Sequence, residues 1–83
     1  MNKIILCGRL TRDPELRTTQ AGKSVCSFTV AVNRRQKDQN GQSVADYFRV
    51  SAWGTLGENA AKYLSKGRKV AVEGEVRVST YTG

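Results

Sequence analysis

Tyr47, Arg49, Ser51 and Trp53, at every second position, carry the most distinctive chemistry in this 83-residue chain. Phe48, Val50 and Ala52 stand between them. Side chains on an extended strand alternate faces, so the first set shares one face and the apolar second set shares the other. A ring, a cation, a hydroxyl and a second ring on a solvent face can hold a single-stranded polynucleotide. Rings stack on bases for about 1–3 kcal/mol each, and a guanidinium reaches a phosphate or stacks on a base itself. One exposed ring would mean little, because aromatics favour strands for packing alone. A third ring, Tyr81, falls on the outward side of a later strand with Arg77 and Ser79. Three rings among cations favour binding.

The charge points the same way. The chain holds 14 Lys and Arg against 7 Asp and Glu, a net charge of +7. The excess is concentrated in residues 1–37, where Lys3, Arg9, Arg12, Arg17, Lys23, Arg34, Arg35 and Lys37 face only Asp13 and Glu15. A concentrated positive field attracts a polyanion. Arg34, Arg35 and Lys37 lead into Asp38-Gln39-Asn40-Gly41, an Asn-Gly hairpin signal, so they sit on a basic arm. Such an arm releases counterions when it meets phosphate, which makes binding salt-dependent.

Catalysis is poorly provided for. Histidine is absent, which removes the commonest general base and metal ligand. Cys7 and Cys26 lack metal-ligand spacing and sit in apolar, strand-like runs, where both are expected as buried free thiols. Asp13 and Glu15 lie between Arg12 and Arg17 and read as a turn, and no phosphate-cradling glycine pattern occurs. Neither an enzyme, a metal site nor a cofactor is expected, and a small basic nuclease has no residues to support it. No apolar run is long enough for a membrane span or a secretory signal, so a cytoplasmic location without membrane contact is expected.

Eighty-three residues make one domain, assigned to residues 1–83. Period-two patterning predicts strands over 2–10, 25–33, 45–53 and 68–81. Ile4, Leu6, Gly8 and Leu10 share one side of the first, and Cys26, Phe28, Val30 and Val32 share one side of the second. In the fourth, Val70, Val72, Gly74, Val76 and Val78 point inward. A helix opens after Gly54, with Leu56, Ala60, Tyr63 and Leu64 at helical spacing and Gly67 as its stop. The predicted class is all-β: a five-stranded Greek-key barrel of the oligonucleotide/oligosaccharide-binding (OB) kind, with one helix between strands three and four. Only four long strands can be counted, so the final strand is expected to be missing: either the chain is a fragment, or another chain covers the open edge.

A resemblance joins these pieces. The opening Asn2-Lys3-Ile4-Ile5-Leu6-Cys7-Gly8-Arg9-Leu10-Thr11-Arg12-Asp13-Pro14-Glu15-Leu16-Arg17 resembles the first strand and turn of bacterial single-stranded DNA-binding proteins. Phe28 to Arg34, Ala45 to Val50, Trp53-Gly54, Ala60-x-x-Tyr63-Leu64-x-Lys66-Gly67 and Val72-x-Gly74 continue it in register. The resemblance implies an OB-fold, a homotetramer, and sequence-independent binding of single-stranded DNA in replication, recombination and repair, on the bacterial nucleoid. It also implies stacking by Tyr47, Trp53 and Tyr81, and phosphate contacts by Lys3, Arg17, Arg49, Lys66 and Arg77. Arg9 and the arm cations Arg34, Arg35 and Lys37 join that set on charge.

Three departures stand out. Arg35-Gln36 occupies the hairpin position where the family often carries an aromatic, so this arm should work by charge. The family's last strand is absent, as is the acidic C-terminal tail that recruits replication and repair proteins, so such partners are possible here only without that tail. Two other readings use the same residues: an OB-like subunit of a primosome-type assembly whose aromatic face docks protein, and an RNA-binding OB module.

Overall fold

Alternating apolar residues build this molecule around one strand. The computed structural model describes residues 1–77 and gives, in order, β1 (Ile4–Leu10), β2 (Glu15–Thr18), β3 (Ser24–Lys37), β4 (Ser43–Trp53), α1 (Thr55–Tyr63) and β5 (Lys69–Gly74). All pairings are antiparallel. One edge of β3 pairs with β4. Its other edge is shared by β2, over Ser24 to Ser27, and by β1, at Val30 and Ala31. The second edge of β1 then pairs with β5 along its whole length.

The face assignments hold for the long strands. Cys26, Phe28 and Val30 are buried with Leu6, Leu10 and Ala52, and Cys26 and Val30 are fully so. Val32, Val50, Ala60, Ala61, Leu64, Val70 and Val72 pack around this core, each partly buried. Between β4 and β5 the sheet stays open among the described residues, as a groove of about 630 Å³ whose apolar lining includes Leu6, Phe28, Val50 and Leu64. The fifth strand of this sheet is therefore the short β2 and not a strand that closes the barrel.

Four expectations need correction. Residues 15–18, where no strand is expected and Glu15 reads as part of a turn, form β2, because Glu15 to Thr18 pair in register with Ser27 to Ser24. The last strand stops at Gly74, with 75–77 outside it, and Val76 is 43% exposed instead of inward; the expected continuation over 78–81 lies outside the described residues. Past Gly74 the partner on the β1 side is the Asn2 side chain, whose Nδ2 donates to the Val76 carbonyl at 2.6 Å and whose Oδ1 accepts from its amide at 2.9 Å. Cys7 is exposed, since it sits on the opposite side of β1 from Leu6; only Cys26 is a buried thiol. Within α1 the apolar stripe is shifted: Gly57 is buried, while Leu56 and Tyr63 are exposed.

Two glycines allow the close approaches that hold this small core together. A Cβ at Gly8 would overlap the Ala31 carbonyl oxygen, where β1 crosses β3. A Cβ at Gly57 would overlap the Ala52 carbonyl oxygen, where α1 packs on the end of β4. The helix has Gly54 as its N-cap, with no side-chain capping bond. Glu58 in its first turn and Lys62 in its last both complement the helix dipole. The loop after it is tied down by Asp13, whose Oδ1 accepts from the Lys66 amide at 2.8 Å. No helix among the described residues is long and apolar enough to cross a membrane.

Candidate nucleic-acid interface

Antiparallel pairing sets directly opposed side chains on the same face of the sheet. The register of β3 with β4 joins Val25 to Trp53, Ser27 to Ser51, Thr29 to Arg49 and Ala31 to Tyr47. These are the outward residues, since Cys26, Phe28 and Val30 alternate with them and are buried. Tyr47 is 69% and Trp53 56% exposed, and Arg49 and Ser51 are exposed as well. Six residues along one strand separate the two rings by about 20 Å. Large rings held out to water on a rigid strand are suited to stacking on flat partners.

The neighbouring strands extend each ring into a row. Arg17 of β2 pairs with Val25, so Arg17, Val25 and Trp53 lie side by side. Arg9 of β1 pairs with Ala31 on one edge and with Lys69 on the other, so Lys69, Arg9, Ala31 and Tyr47 form a row across four strands. A cation thus lies beyond a small or medium residue from each aromatic. Arg17 also has Glu15 Oε1 3.5 Å from its Nε, but both side chains are largely in solvent, where such pairs are weak.

The other expected site residues are more dispersed. Lys3, at the far end of β1 from Arg9, has its Nζ 2.9 Å from Glu73 Oε1. Lys66 is exposed in the loop after α1, and Arg77 is exposed beyond β5. Arg34, Arg35 and Lys37 end β3 on the hairpin arm, as the Asn-Gly signal predicts. Arg34 is already engaged: its Nε and Nη2 donate to Asp46 Oδ2 and Oδ1 at 2.9 and 2.8 Å. That pairing raises the Arg34 pKa and lowers that of Asp46, chiefly through the shared hydrogen bonds. Tyr81 lies outside the described residues. Lys69 escapes a reading by sequence, because only the register of β1 with β5 brings it beside Arg9.

An antiparallel OB-type sheet with one helix before its last described strand, carrying two rings and flanking cations on its outer face, defines a class of oligomer-binding module. Comparison with known proteins narrows the class. Residues 1–83 match the single-strand binding protein family. The chain is 45% identical over 82 residues to single-stranded DNA-binding protein 1 of Clostridium acetobutylicum, covering 98% of this chain and 74% of that protein. It is 46% identical over 83 residues to single-stranded DNA-binding protein 3 of Listeria innocua, covering all of this chain and 52% of that one. Against a single-stranded DNA-binding protein 1 of Staphylococcus aureus it is 48% identical over 81 residues, with coverages of 98% and 52%. The chain belongs to the single-strand binding protein family. It spans about half the length of the Listeria and Staphylococcus relatives it matches.

Proposed function

We propose that this chain binds single-stranded DNA without sequence preference and has no catalytic role. The observation that carries this reading is the pair of rows on the outer face, Arg17–Val25–Trp53 and Lys69–Arg9–Ala31–Tyr47, with Arg49 between them. Each row offers a base-stacking ring and a phosphate-seeking cation. Stacking tolerates any base, and cations read only the backbone. Lys3, Lys66 and Arg77 extend the surface, the basic arm adds charge beyond the Tyr47 row, and Tyr81, outside the described residues, is proposed from the resemblance as a third stacking ring. The names of the relatives support DNA as the partner. Family membership supports a homo-oligomer, a tetramer by resemblance, acting in replication, recombination and repair in the cytoplasm on the nucleoid.

The test uses Trp53, the only tryptophan, as its reporter. Oligo-dT of increasing length is titrated in while Trp53 fluorescence is followed at several salt concentrations, with duplex DNA and oligo-U as competitors. Quenching that weakens steeply with salt, and that duplex DNA does not compete away, is the expected result. Absence of quenching at low salt, from a sample whose circular dichroism is that of a folded β protein, overturns the proposal.

A further inference from the structure

The base of the hairpin arm is built differently from the face beside it. Regular pairing of β3 with β4 ends at Asn33–Ala45 and resumes only at Lys37–Ser43. Residues 34–36 of β3 therefore stand opposite Val44 alone, a bulge that redirects the strand. At this bulge Arg34 makes its two-point contact with Asp46.

The side of the sheet matters. Asp46 pairs with Val32, which packs against the core, and it continues the inward series of Ala52, Val50 and Phe48. Its carboxylate thus leaves the sheet on the core side, just past the end of the apolar core. Arg34 follows it there, on the opposite side from Tyr47 and Arg49. A phosphate on the aromatic face would have to draw Arg34 off a bidentate carboxylate and away from that side. Bidentate guanidinium–carboxylate pairs fix geometry as well as charge. The tip of the arm is closed in the same way. Asp38 Oδ1 accepts from the Asn40 and Gln42 amides at 2.9 and 2.8 Å, while the Asp38 amide donates to the Gln42 carbonyl. Between these two anchors, Arg35 and Lys37 are exposed and form no ion pair among the described residues.

We propose that Arg34 is a positioning residue and not a phosphate ligand: through Asp46 it locks the bulge and aims the arm so that Arg35 and Lys37 meet the nucleic-acid backbone. This assignment rests on the single-stranded DNA reading above. It reverses the expected sign of one substitution. If Arg34 were a phosphate ligand held back by Asp46, removing the carboxylate would free a cation, tighten binding and steepen the salt dependence. As a positioning pair, losing either partner loosens the arm and weakens binding.

The experiment compares Arg34→Gln, Asp46→Asn, their combination and the exchanged pair Arg34→Asp with Asp46→Arg, in oligo-dT titrations across salt. Both single variants are expected to bind on the order of tenfold more weakly, with log K against log salt flatter by about 0.7 for each phosphate that the arm no longer neutralises. The combination should be no worse than either single variant, and the exchanged pair should recover part of the affinity. Tighter or unchanged binding by Asp46→Asn overturns the assignment. Amide exchange over residues 33–43, measured without DNA, gives a second readout. It should accelerate equally in both single variants while the exchange of β1 and β5 stays unchanged. Unchanged exchange in the arm overturns the assignment even if the wild-type chain proves not to bind DNA, so its failure is distinguishable from that of the function.

Discussion

Arg17 and Trp53 approach Val25 from opposite edges of β3, so a cation and an exposed ring sit two strands apart on one line. No stretch of sequence joins them; the pairing of the short β2 does. Trp53 is more than half exposed and contributes little to the core. Trp53→Ala should therefore weaken oligo-dT binding by about 1–3 kcal/mol while leaving the unfolding midpoint nearly unchanged. A large drop in that midpoint, read from urea unfolding, would show instead that the ring supports the fold.

The second row gives a prediction about charge. Arg9 and Lys69 face each other across β1 and β5 and lead, through Ala31, to Tyr47. Arg9→Ala and Lys69→Ala should each flatten the plot of log K against log salt by about 0.7, the amount expected when one fewer phosphate of a single strand is neutralised. Tyr47→Ala should lower affinity while leaving that slope in place, since a stacked ring releases no counterion. A changed slope in Tyr47→Ala would mean that the ring orients a cation instead of holding a base.

What could be read in advance followed from local alternation, and what could not depended on register. The outward set on β4 and the inward set on β3 were visible because one face is apolar from Cys26 to Val32 and from Phe48 to Ala52, and period two then fixes both faces. β2 carried no such signal: all four of its residues are exposed, and it is a strand only because it pairs with part of an edge of β3. Alternation also continued through Val76, although the β1 backbone ladder ends at Gly74, and no local pattern marks where a partner strand runs out. Composition misplaces Cys7, although the alternation that sets Leu6 inward already sets its neighbour outward. Lys69 beside Arg9 and Arg34 beside Asp46 are products of pairing and of a bulge, which spacing along the chain does not encode.

Gly57 supplies a prediction in which two effects oppose each other. Alanine in place of glycine within a helix gains about 1 kcal/mol in intrinsic propensity. Here its methyl group would overlap the Ala52 carbonyl oxygen, and its Cβ would lie 3.2 Å from the Cys26 amide nitrogen. Both obstacles are backbone in paired strands, so neither can step aside without moving α1 off the sheet. Overpacking of this kind costs about 1–3 kcal/mol, so Gly57→Ala should lower stability despite the propensity gain. A raised urea midpoint would show that α1 has room to shift.

The two thiols should differ sharply in reactivity. Cys26 is fully buried, and burial raises its pKa by disfavouring the thiolate, which is the reactive form. Cys7 stands exposed on the outer side of β1. Iodoacetamide at neutral pH should label Cys7 in the folded protein and reach Cys26 only after denaturant is added. Mass spectrometry of digested samples counts the two sites separately. Labelling of both at equal rates under native conditions would show that the core around Cys26 opens readily.

Asp46 carries a pH prediction whose sign is fixed by its partner. The hydrogen bonds from Arg34 hold its carboxyl below the ordinary carboxylate pKa, against the opposing effect of desolvation. A group whose pKa is lowered by folding favours the folded state above its unfolded pKa, and that contribution fades as pH falls through the lowered value. The arm should thus keep its geometry throughout the neutral range and down through the ordinary titration range of aspartate, loosening only below it. Carbon-detected NMR titration of the Asp46 carboxyl group measures this directly. In Arg34→Gln the midpoint should move up, because the main cause of the depression is gone. A midpoint that stays in place would mean that Arg34 and Asp46 do not remain paired in solution, and the arm would then owe its direction to the bulge and to Asp38 alone.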